Sequence, residues 1–450
     1  MRKNFLISFL LLIVSIPTFA GGLLTNTNQH AAFLRMLSRG ATTEIDGALS
    51  NPAGLAFLPN DGFHMALSIQ SAFQTRDIDA NFSIYNGFAM NDGKQPTPTT
   101  EPFNKYYEGK AAAPIIPSVF AAYRKGDWTI SGFFAITGGG GKASFDDGLP
   151  FFESTAMASI FQEGIEKGMV ITPDKYKINS AMDGKQYIYS VQLGLTYKIN
   201  KWLSAFAGGR MNYFVGGYKG FLDAKMGDVN LLPLALDCDQ TGWGLTPVIG
   251  VDMKWKKLNF GAKYEFRTNM NIENKTNRLE YPDKAESLVG AYKDGVNTPN
   301  DIPSLLSVAV AYEFLPVLRA SVEYHFYDDK NAGMAEGKQK FLTKGTNEYL
   351  AGIEWDVTKR LTVSCGAQIT DYGLSDNYQR DTSFSCDSYT LGLGAKLKLS
   401  ERANLNVGYM WTNYDDYTMT TDNYNATGLG GTNVYSRTNK VFGLSLDYRF

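Results

Sequence analysis

The sequence predicts an all-β protein, a 14-stranded antiparallel transmembrane β-barrel that holds an N-terminal hatch, or plug, inside its lumen. Three observations predict this fold class: a secretory leader with no membrane-spanning helix after it, repeated alternation of apolar and polar residues, and connections of alternating length. The composition agrees, because charged residues make up only 20% of the chain while aromatic residues reach 13%. We divide the chain into a signal peptide (1–20), a hatch (21–61) and a barrel (62–450).

The N-terminus has the pattern of a secretory signal peptide. The basic residues Arg2 and Lys3 precede an apolar run over 5–16, and small residues lead to an expected cleavage after Ala20. This run is shorter than the roughly 20 residues of a bilayer-spanning helix, although a retained anchor helix is the alternative interpretation. No later segment has about 18 apolar residues in a row. The exported chain is therefore expected to be either soluble or a β-barrel.

Alternation favours the barrel. The final predicted strand places apolar residues at every second position, namely Phe442, Leu444, Leu446, Tyr448 and Phe450. Residues 187–199, 318–327 and 388–399 alternate in the same way, although strands of a soluble sandwich also alternate. Aromatic residues cluster at strand ends, as an interfacial girdle requires. The terminal Phe450 is similar to the C-terminal signal of bacterial outer-membrane barrels, so we expect barrel-assembly machinery as a partner.

The predicted strands are even in number, as in single-chain bacterial barrels. They are 62–75, 117–125, 128–145, 186–198, 202–222, 241–255, 258–271, 303–314, 317–328, 347–357, 361–371, 388–399, 403–415 and 437–450. Short turns alternate with long polar segments, which lie at 76–116, 146–185, 223–240, 272–302, 329–346, 372–387 and 416–436. This pattern fits periplasmic turns and extracellular loops. Pro247 lies inside a predicted strand and should mark a bulge or a local break.

The segment before the first strand predicts a hatch. A barrel of this size is close to those with an open channel, and residues 21–61 show no strand pattern. Residues 28–38 predict a short helix with Phe33, Met36 and Leu37 on one side. We expect this tethered segment to lie in the lumen.

Residues 40–41 and 47–56, Gly-Ala followed by Gly-Ala-Leu-Ser-Asn-Pro-Ala-Gly-Leu-Ala, carry a more specific resemblance. They resemble the hatch of the FadL-like family of outer-membrane transporters for long-chain fatty acids and aromatic hydrocarbons. The matching triplet is Asn51, Pro52 and Ala53. The architecture is similar over the whole mature chain, but the residue-level resemblance is confined to 40–56. Ser50 departs from the family, in which an aromatic residue is common before the triplet.

The resemblance implies passive, hatch-gated uptake of hydrophobic compounds, captured by outer loops and released by a lateral exit in the barrel wall. The hydrophobic small molecules and outer-membrane lipid would then be partners. An outer-loop apolar groove is expected at Leu231, Leu232, Leu234 and Leu236, because exposed apolar patches mark binding sites. Packing of this run against neighbouring loops is the alternative.

A glycine run in the third predicted strand is the candidate for the lateral exit. Glycines in strands mark bulges and bends, and four occur in succession at Gly138, Gly139, Gly140 and Gly141. They predict a kink that interrupts the hydrogen-bond ladder and opens a gap in the wall. A simple transition from strand to loop is the alternative.

Four cations are candidates to contact a ligand carboxylate. Alternation places Arg210, Lys263, Arg267 and Arg319 on the lumenal face. Each could instead be paired with a neighbour such as Glu265 or Glu323, or be hydrated, and the sequence does not choose between them.

Other functions are less well supported by the sequence. The net charge of −2 gives no basic face for nucleic acid. The chain has three histidines and three scattered cysteines, so we expect no metal and no cofactor. We also expect no enzymatic activity, because Glu323 and His325 form the one candidate acid–base pair and no nucleophile accompanies it. A general porin and a surface antigen or adhesin on a barrel scaffold are the alternatives.

The cysteines have separate expected roles. Cys365 has the phase of the lipid-facing side and should act as a small hydrophobe. Cys238 and Cys386 lie in or near predicted outer loops, where a disulfide between them is possible in an oxidising compartment.

Overall fold

The computed structural model describes residues 24–85, 88–90, 96–98, 102–426 and 430–450. The predicted signal peptide lies outside these ranges, as do the first residues of the predicted hatch. Among the described residues, no helix is long and apolar enough to cross a membrane.

Antiparallel strands form the wall of the described chain and close it into a 14-strand barrel, as predicted. The closure is visible at the first strand, which pairs with the second strand on one side and the last strand on the other. Closure leaves no unpaired sheet edge in lipid. The wall strands are β1 (Gly62–Tyr85), β2 (Pro102–Lys125), β3 (Trp128–Phe145), β4 (Tyr176–Lys198), β5 (Leu203–Met226), β6 (Leu234–Trp255), β7 (Leu258–Glu265 and Asn271–Glu280), β8 (Leu305–Leu315), β9 (Leu318–Tyr327), β10 (Thr346–Asp356), β11 (Leu361–Asp371), β12 (Ser388–Lys398), β13 (Ala403–Tyr414) and β14 (Gly431–Arg449).

The remaining elements are short, apart from one loop helix. The helices are α1 (Ala31–Arg35), α2 (Gly47–Ser50), α3 (Pro150–Lys167) and α4 (Glu286–Val289). The 3-10 helices are Pro52–Phe57, Pro173–Lys175, Asp283–Ala285, Gly290–Tyr292, Asp329–Asn331, Ala335–Phe341, Asp376–Tyr378 and Tyr424–Ala426. Short loop strands are Phe88–Met90, Pro96–Pro98, Val229–Asn230, Asn297–Pro299 and Tyr417–Thr421.

Several strands extend well beyond the predicted bounds. In the lower part of β1, Leu67 and Ile69 are exposed on the outer face, as a lipid-facing wall requires. Further along the same strand the polarity inverts, because Ile78 and Phe82 are buried on the inner face. The segments predicted as polar loops therefore continue the wall as hairpins around an extracellular apolar core. The predicted strand bounds are wrong there because a lipid-facing pattern ends where the lipid ends.

The wall ladder is interrupted opposite Pro247, which lies within the continuous strand β6. The pairing of β7 with β6 stops at Glu265 opposite Val248 and resumes at Ile272 opposite Gly242, with a register change of one residue. Proline offers no N–H to a neighbouring strand. The predicted local break is thus found in the neighbouring strand.

The N-terminal segment fills the bore. Residues 31–57 contact wall strands on opposite sides of the bore, namely β1–β6 and β11–β14. The predicted helix over 28–38 is shorter in the structure, where α1 spans Ala31–Arg35. Phe33, Met36 and Leu37 are all buried, because the wall surrounds this segment and leaves it no solvent-facing side.

Candidate functional site

The outer loops enclose a cavity of about 320 Å³, here called the outer cavity. Its apolar wall is formed by the loop helix α3 and by the upper ends of neighbouring strands, with Phe151, Phe152, Leu222, Leu234, Leu236 and Met419. Its polar wall comes mainly from the loop between β11 and β12, with Asn377, Gln379, Arg380 and Asp381. A cavity with one apolar and one polar wall suits a ligand that is largely apolar.

The apolar run 231–236 divides between two environments. Leu231 and Leu232 are 8% and 2% exposed and pack within the extracellular apolar core. The expectation that these two form an exposed patch is therefore wrong, because the neighbouring hairpins cover them. Leu234 and Leu236 belong to β6 and line the outer cavity.

Asp381 ties the polar wall to the rest of the loop assembly. Its carboxylate accepts hydrogen bonds from the Phe151 backbone N–H at 2.8 Å, and from the Asn433 amide and the Tyr435 hydroxyl, each at 2.9 Å. Burial raises the pKa of Asp381 to about 6. This buried acid joins α3, β14 and the loop that carries it.

The predicted hatch triplet is bonded to the wall. The Asn51 side-chain amide donates to Asp252 Oδ2 at 3.1 Å. The Pro52 carbonyl accepts from Thr196 Oγ1 at 2.9 Å, and the Ala53 carbonyl accepts from Ser204 Oγ at 2.7 Å. These bonds reach β4, β5 and β6, so the triplet is held on one side of the bore.

The other predicted hatch residues pack on the opposite side of the bore. Phe33 and Leu37 form an apolar cluster with Leu350, Met410 and Val441. Met36 packs so closely on Gly352 that a Cβ at that glycine would lie 2.5 Å from Met36 Cγ.

Two hatch arginines, which sequence reasoning missed, anchor the segment electrostatically. Arg35 is fully buried, donates to Asn406 and Ser364 at 3.0 Å each, and forms an ion pair with Glu354. Arg39 is bonded to Asp46 within the hatch at 2.7 Å. The available signal was the presence of two arginines in a segment expected inside a barrel, where a buried charge needs a partner.

All four predicted lumenal cations lie within ion-pair distance of an acid. Arg210 and Lys263 both contact Glu265, and Lys263 also donates to the hatch carbonyl of Leu49 at 2.8 Å. Arg319 is bonded to Glu354 at 2.7 Å and to Asp356 at 2.9 Å.

Arg267 differs from the other three in its setting, with its Nε 3.8 Å from Asp301 Oδ2. It lies in the interruption of β7, is exposed, and donates to the Asn331 carbonyl at 2.7 Å. Alternation along the strand does not predict the orientation of this side chain, because β7 is interrupted at this position.

Glu323 and His325 serve as a further anchor of the hatch. Glu323 Oε2 accepts from the backbone N–H groups of Arg39 and Gly40 at 2.7 and 2.8 Å. His325 lies between two carboxylates, with Nε2 2.7 Å from Glu323 and Nδ1 2.9 Å from Glu348. The pair thus faces the hatch segment and a second acid.

The four-glycine run in β3 coincides with irregular pairing on both sides. Towards β4, the register shifts between Ile136 and Gly138 and again before Gly141. Gly139 and Gly141 have φ of 104° and 74°, which other residues rarely adopt. Towards β2, no register pairs are found between Ala112 and Val119 in this described part of the wall.

A second cavity, of about 90 Å³, lies inside the wall next to this irregularity and is here called the inner cavity. Gly138, Gly139 and Gly141 line it from β3, and Ala113 and Ile116 line it from β2. Residues 25–27 and Gln29 of the N-terminal segment also line it. The N-terminal segment, the irregular pairing of β3 and this cavity therefore adjoin one another.

The cysteines and the metal-binding residue types form no site in the described ranges. The thiols of Cys238 and Cys386 are free and buried, so the possible disulfide is not formed, and Cys365 is exposed as expected on the outer face. No group of three or more histidine, cysteine, aspartate or glutamate side chains suited to a metal occurs there.

Comparison with known proteins supports this architecture. A family model for an outer membrane protein beta-barrel domain matches residues 284–450. No curated protein matches the chain.

Solved structures match over nearly the whole chain. A FadL homologue of Pseudomonas aeruginosa is similar at 16% identity over 96% of this chain and 100% of its own, with a TM-score of 0.66. The toluene transporter TodX of P. putida has 12% identity, coverage of 91% and 95%, and a TM-score of 0.54. The toluene transporter TbuX of Ralstonia pickettii has 12% identity, coverage of 98% and 99%, and a TM-score of 0.53.

Identities this low establish the fold alone. The chain is a bacterial outer-membrane β-barrel with the FadL-like fold.

Proposed function

We propose that the chain is an outer-membrane transporter for the passive uptake of hydrophobic compounds through a hatch-gated barrel with a lateral exit. The observation that carries the proposal is the outer cavity, with its largely apolar wall, placed at the extracellular end of a bore that the N-terminal segment fills. A filled bore resists free diffusion of polar solutes, while the cavity offers an apolar ligand a first place to bind.

Capture is driven by the hydrophobic effect. Moving apolar surface out of water yields about 25 cal/mol per Å², so a long acyl chain or an aromatic ring gains several kcal/mol by entering the outer cavity. Leu234, Leu236 and Phe152 supply the apolar surface. Binding of this strength is reversible, which suits transport without an energy source.

Gating is assigned to the N-terminal segment. Its triplet is held by hydrogen bonds from Asn51, Thr196 and Ser204, and its arginine Arg35 by an ion pair with Glu354. Each of these hydrogen bonds contributes about 1 kcal/mol, so thermal motion can break the bonds of the triplet on the time scale of transport. We assign the Asn51 side of the segment to the moving part and the Arg35 side to the fixed part.

The exit is assigned to the irregular wall at Gly138, Gly139, Gly140 and Gly141. Without ladder hydrogen bonds between β2 and β3 over this stretch, a ligand in the inner cavity can leave sideways into lipid. An apolar compound avoids water by this route, and water is the main barrier to its passage through a polar channel.

The substrate class includes fatty acids and aromatic hydrocarbons. The similar structures are named as a FadL homologue and as toluene transporters, and the apolar wall of the outer cavity suits apolar compounds of either kind. A general porin and a surface antigen are the competing functions, and the filled bore argues against the first.

Uptake by whole cells tests the proposal. Cells with and without the protein are given radiolabelled oleate, toluene and maltose, and initial uptake rates are compared. We expect protein-dependent uptake of oleate, toluene or both, and no change for maltose. Equal stimulation of maltose would indicate a general porin, and stimulation of none of the three would indicate a scaffold.

A further inference from the structure

Three exposed lysines lie together on two adjacent turns at the periplasmic end of the barrel. Lys201 belongs to the turn between β4 and β5, and Lys256 and Lys257 form the turn between β6 and β7. The two turns lie side by side, because the Lys254 backbone N–H donates to the Trp202 carbonyl at 2.8 Å. Short turns are the periplasmic connections of bacterial barrels. Lys201, Lys256 and Lys257 are here called the lysine patch.

No acid of the described chain balances this patch. None of its three lysines forms an ion pair within the described ranges, although Lys257 Nζ donates to the Phe314 carbonyl at 3.4 Å. Exposed lysines at the extracellular end of the same wall are arranged differently. Lys142, Lys185 and Lys219 each contact an aspartate of another strand, at 2.9, 3.0 and 3.0 Å. Neighbouring like charges repel one another, so the patch calls for an anion from outside the chain.

The lysine patch borders the lipid-facing surface. Trp255 is 55% exposed and continues the outer face of β6 after Ile249 and Val251, and Lys256 Nζ lies 4.8 Å from the centroid of its indole ring. Other exposed aromatic side chains continue around the periplasmic strand ends, namely Trp128, Tyr197, Tyr312, Phe314, Trp355, Tyr448 and Phe450. Aromatic girdles of this kind lie at the level of the lipid head groups. The ammonium group of Lys256 is therefore placed at that level.

We propose that the lysine patch binds the phosphate of an anionic phospholipid in the periplasmic leaflet of the membrane. Clustered lysines next to a membrane attract anionic lipid, and each ammonium group is a compact charge with three hydrogen-bond donors. The rings of Trp255 and Phe314 then lie against the glycerol and the first acyl carbons. An acidic soluble protein fits less well, because these rings face hydrocarbon. The patch lies outside the bore, so this role in anchoring the periplasmic rim is separate from transport.

Native mass spectrometry of the purified full-length protein tests the site. The protein is held in mixed micelles with equal amounts of phosphatidylglycerol and phosphatidylethanolamine, which have the same acyl chains and differ in head-group charge. For the wild type we expect at least about threefold more bound phosphatidylglycerol. This preference should fall when ammonium acetate is raised from about 50 to about 500 mM, because salt screens exposed charges.

Replacing the three lysines together locates the binding. The variant combines Lys201→Gln, Lys256→Asn and Lys257→Gln. Asparagine is chosen at position 256 because φ is 53° there, a conformation that asparagine adopts more readily than most residues. We expect this variant to bind the two lipids equally. Arginine at all three positions retains the charge and should retain the preference.

A matched control removes the same number of charges from the other end of the wall. Lys142→Gln, Lys185→Gln and Lys219→Gln in one chain should keep the wild-type preference for phosphatidylglycerol. If the triple patch variant does not assemble, as judged by heat-modifiable mobility, Lys256→Asn alone and the salt series decide instead.

Three results would overturn the proposal. The first is equal binding of the two lipids by the wild type, and the second is a preference that survives loss of the patch or high salt. The third is binding of poly-glutamate that depends on the patch in the absence of any lipid preference, which would assign these lysines to an acidic protein partner.

Discussion

The side-chain amide of Asn51 donates a hydrogen bond of 3.1 Å to Asp252, a fully buried carboxylate on β6. The same amide lies 3.3 Å from the Val251 carbonyl. One hatch side chain thus bridges the turn before Pro52 and the inner surface of the wall, at a point where the hatch is held by hydrogen bonds rather than by ion pairs.

Replacing Asn51 with alanine should loosen the hatch and leave the barrel assembled. The change removes two hydrogen bonds worth about 1 kcal/mol each, and we expect the rate of oleate uptake to change at least twofold. Uptake in cells is the measurement, with heat-modifiable gel mobility as the check on assembly. Asn277→Ala, in an exposed position, is the matched control. Unchanged uptake in Asn51→Ala would count against a gating role of this turn.

Replacing Arg35 with methionine should have a larger effect. It removes the ion pair with Glu354, whose remaining partners are Arg39 and Arg319. It also removes the hydrogen bonds to Asn406 and Ser364, which contribute about 1 kcal/mol each. We expect the hatch to become sensitive to protease and the barrel to conduct small ions in a planar bilayer. Arg360→Met, in an exposed turn, should do neither. An Arg35→Met barrel that stays closed and protease-resistant would show that the hatch does not depend on this anchor.

The lipid-facing part of the barrel could be predicted from the sequence because lipid imposes a strict pattern. Leu67, Ile69 and Leu446 are exposed on the outer face, and alternation around such residues locates the strands. The extracellular extensions were not predictable in the same way. In β1 the buried side chains Ile78 and Phe82 belong to a core built by several loops, and one strand does not reveal where its outer surroundings change from lipid to water.

The candidate site was partly predictable for a similar reason. The Asn51 triplet and the glycines of β3 are local sequence signals. In the structure the triplet is hydrogen-bonded to the wall, and the glycines lie where the strand pairing is irregular. The pairing of charges depends on register between distant strands. Arg437 looks like any other arginine until its position opposite Arg76 is known.

The extracellular loops should become less stable as the pH rises through about 6. Burial raises the pKa of Asp381 from 3.8 to about 6, so the folded loop keeps a proton that the opened loop loses. Stability from this group is present below about pH 4 and is lost as the pH rises through the raised pKa. Hydrogen exchange of residues 372–387 at several pH values measures this. Asp381→Asn should abolish this pH dependence of loop stability, whereas Asp422→Asn, at an exposed position, should leave it unchanged. If exchange, corrected for intrinsic rates, slows as the pH rises, the loops become more stable with pH and the prediction is wrong.

A charge in the apolar wall of the outer cavity should impair capture. Leu236→Asp places a carboxylate where an apolar ligand would pack, and an unpaired charge in such a place carries a desolvation cost. We expect the affinity for dodecanol to fall about tenfold or more, measured by calorimetry. Val229→Asp introduces the same group at a loop residue that is 56% exposed and should have no effect. An equal loss in both variants would point to a general effect of charge at the loops.

Altering the wall irregularity at Gly139 should slow release into lipid. Gly139 has φ of 104°, and a Cβ there would lie 2.2 Å from the Gln186 carbonyl oxygen. Gly139→Val therefore cannot keep this backbone without strain of about 1–3 kcal/mol, and the stretch must shift and change the gap. We expect uptake to fall several-fold in barrels that still assemble, judged by heat-modifiable mobility. Gly209→Ala is the control, because its Cβ would meet Leu245 at 3.8 Å. Assembled Gly139→Val barrels with wild-type uptake would mean that ligand leaves by another route, most directly past the hatch into the periplasm.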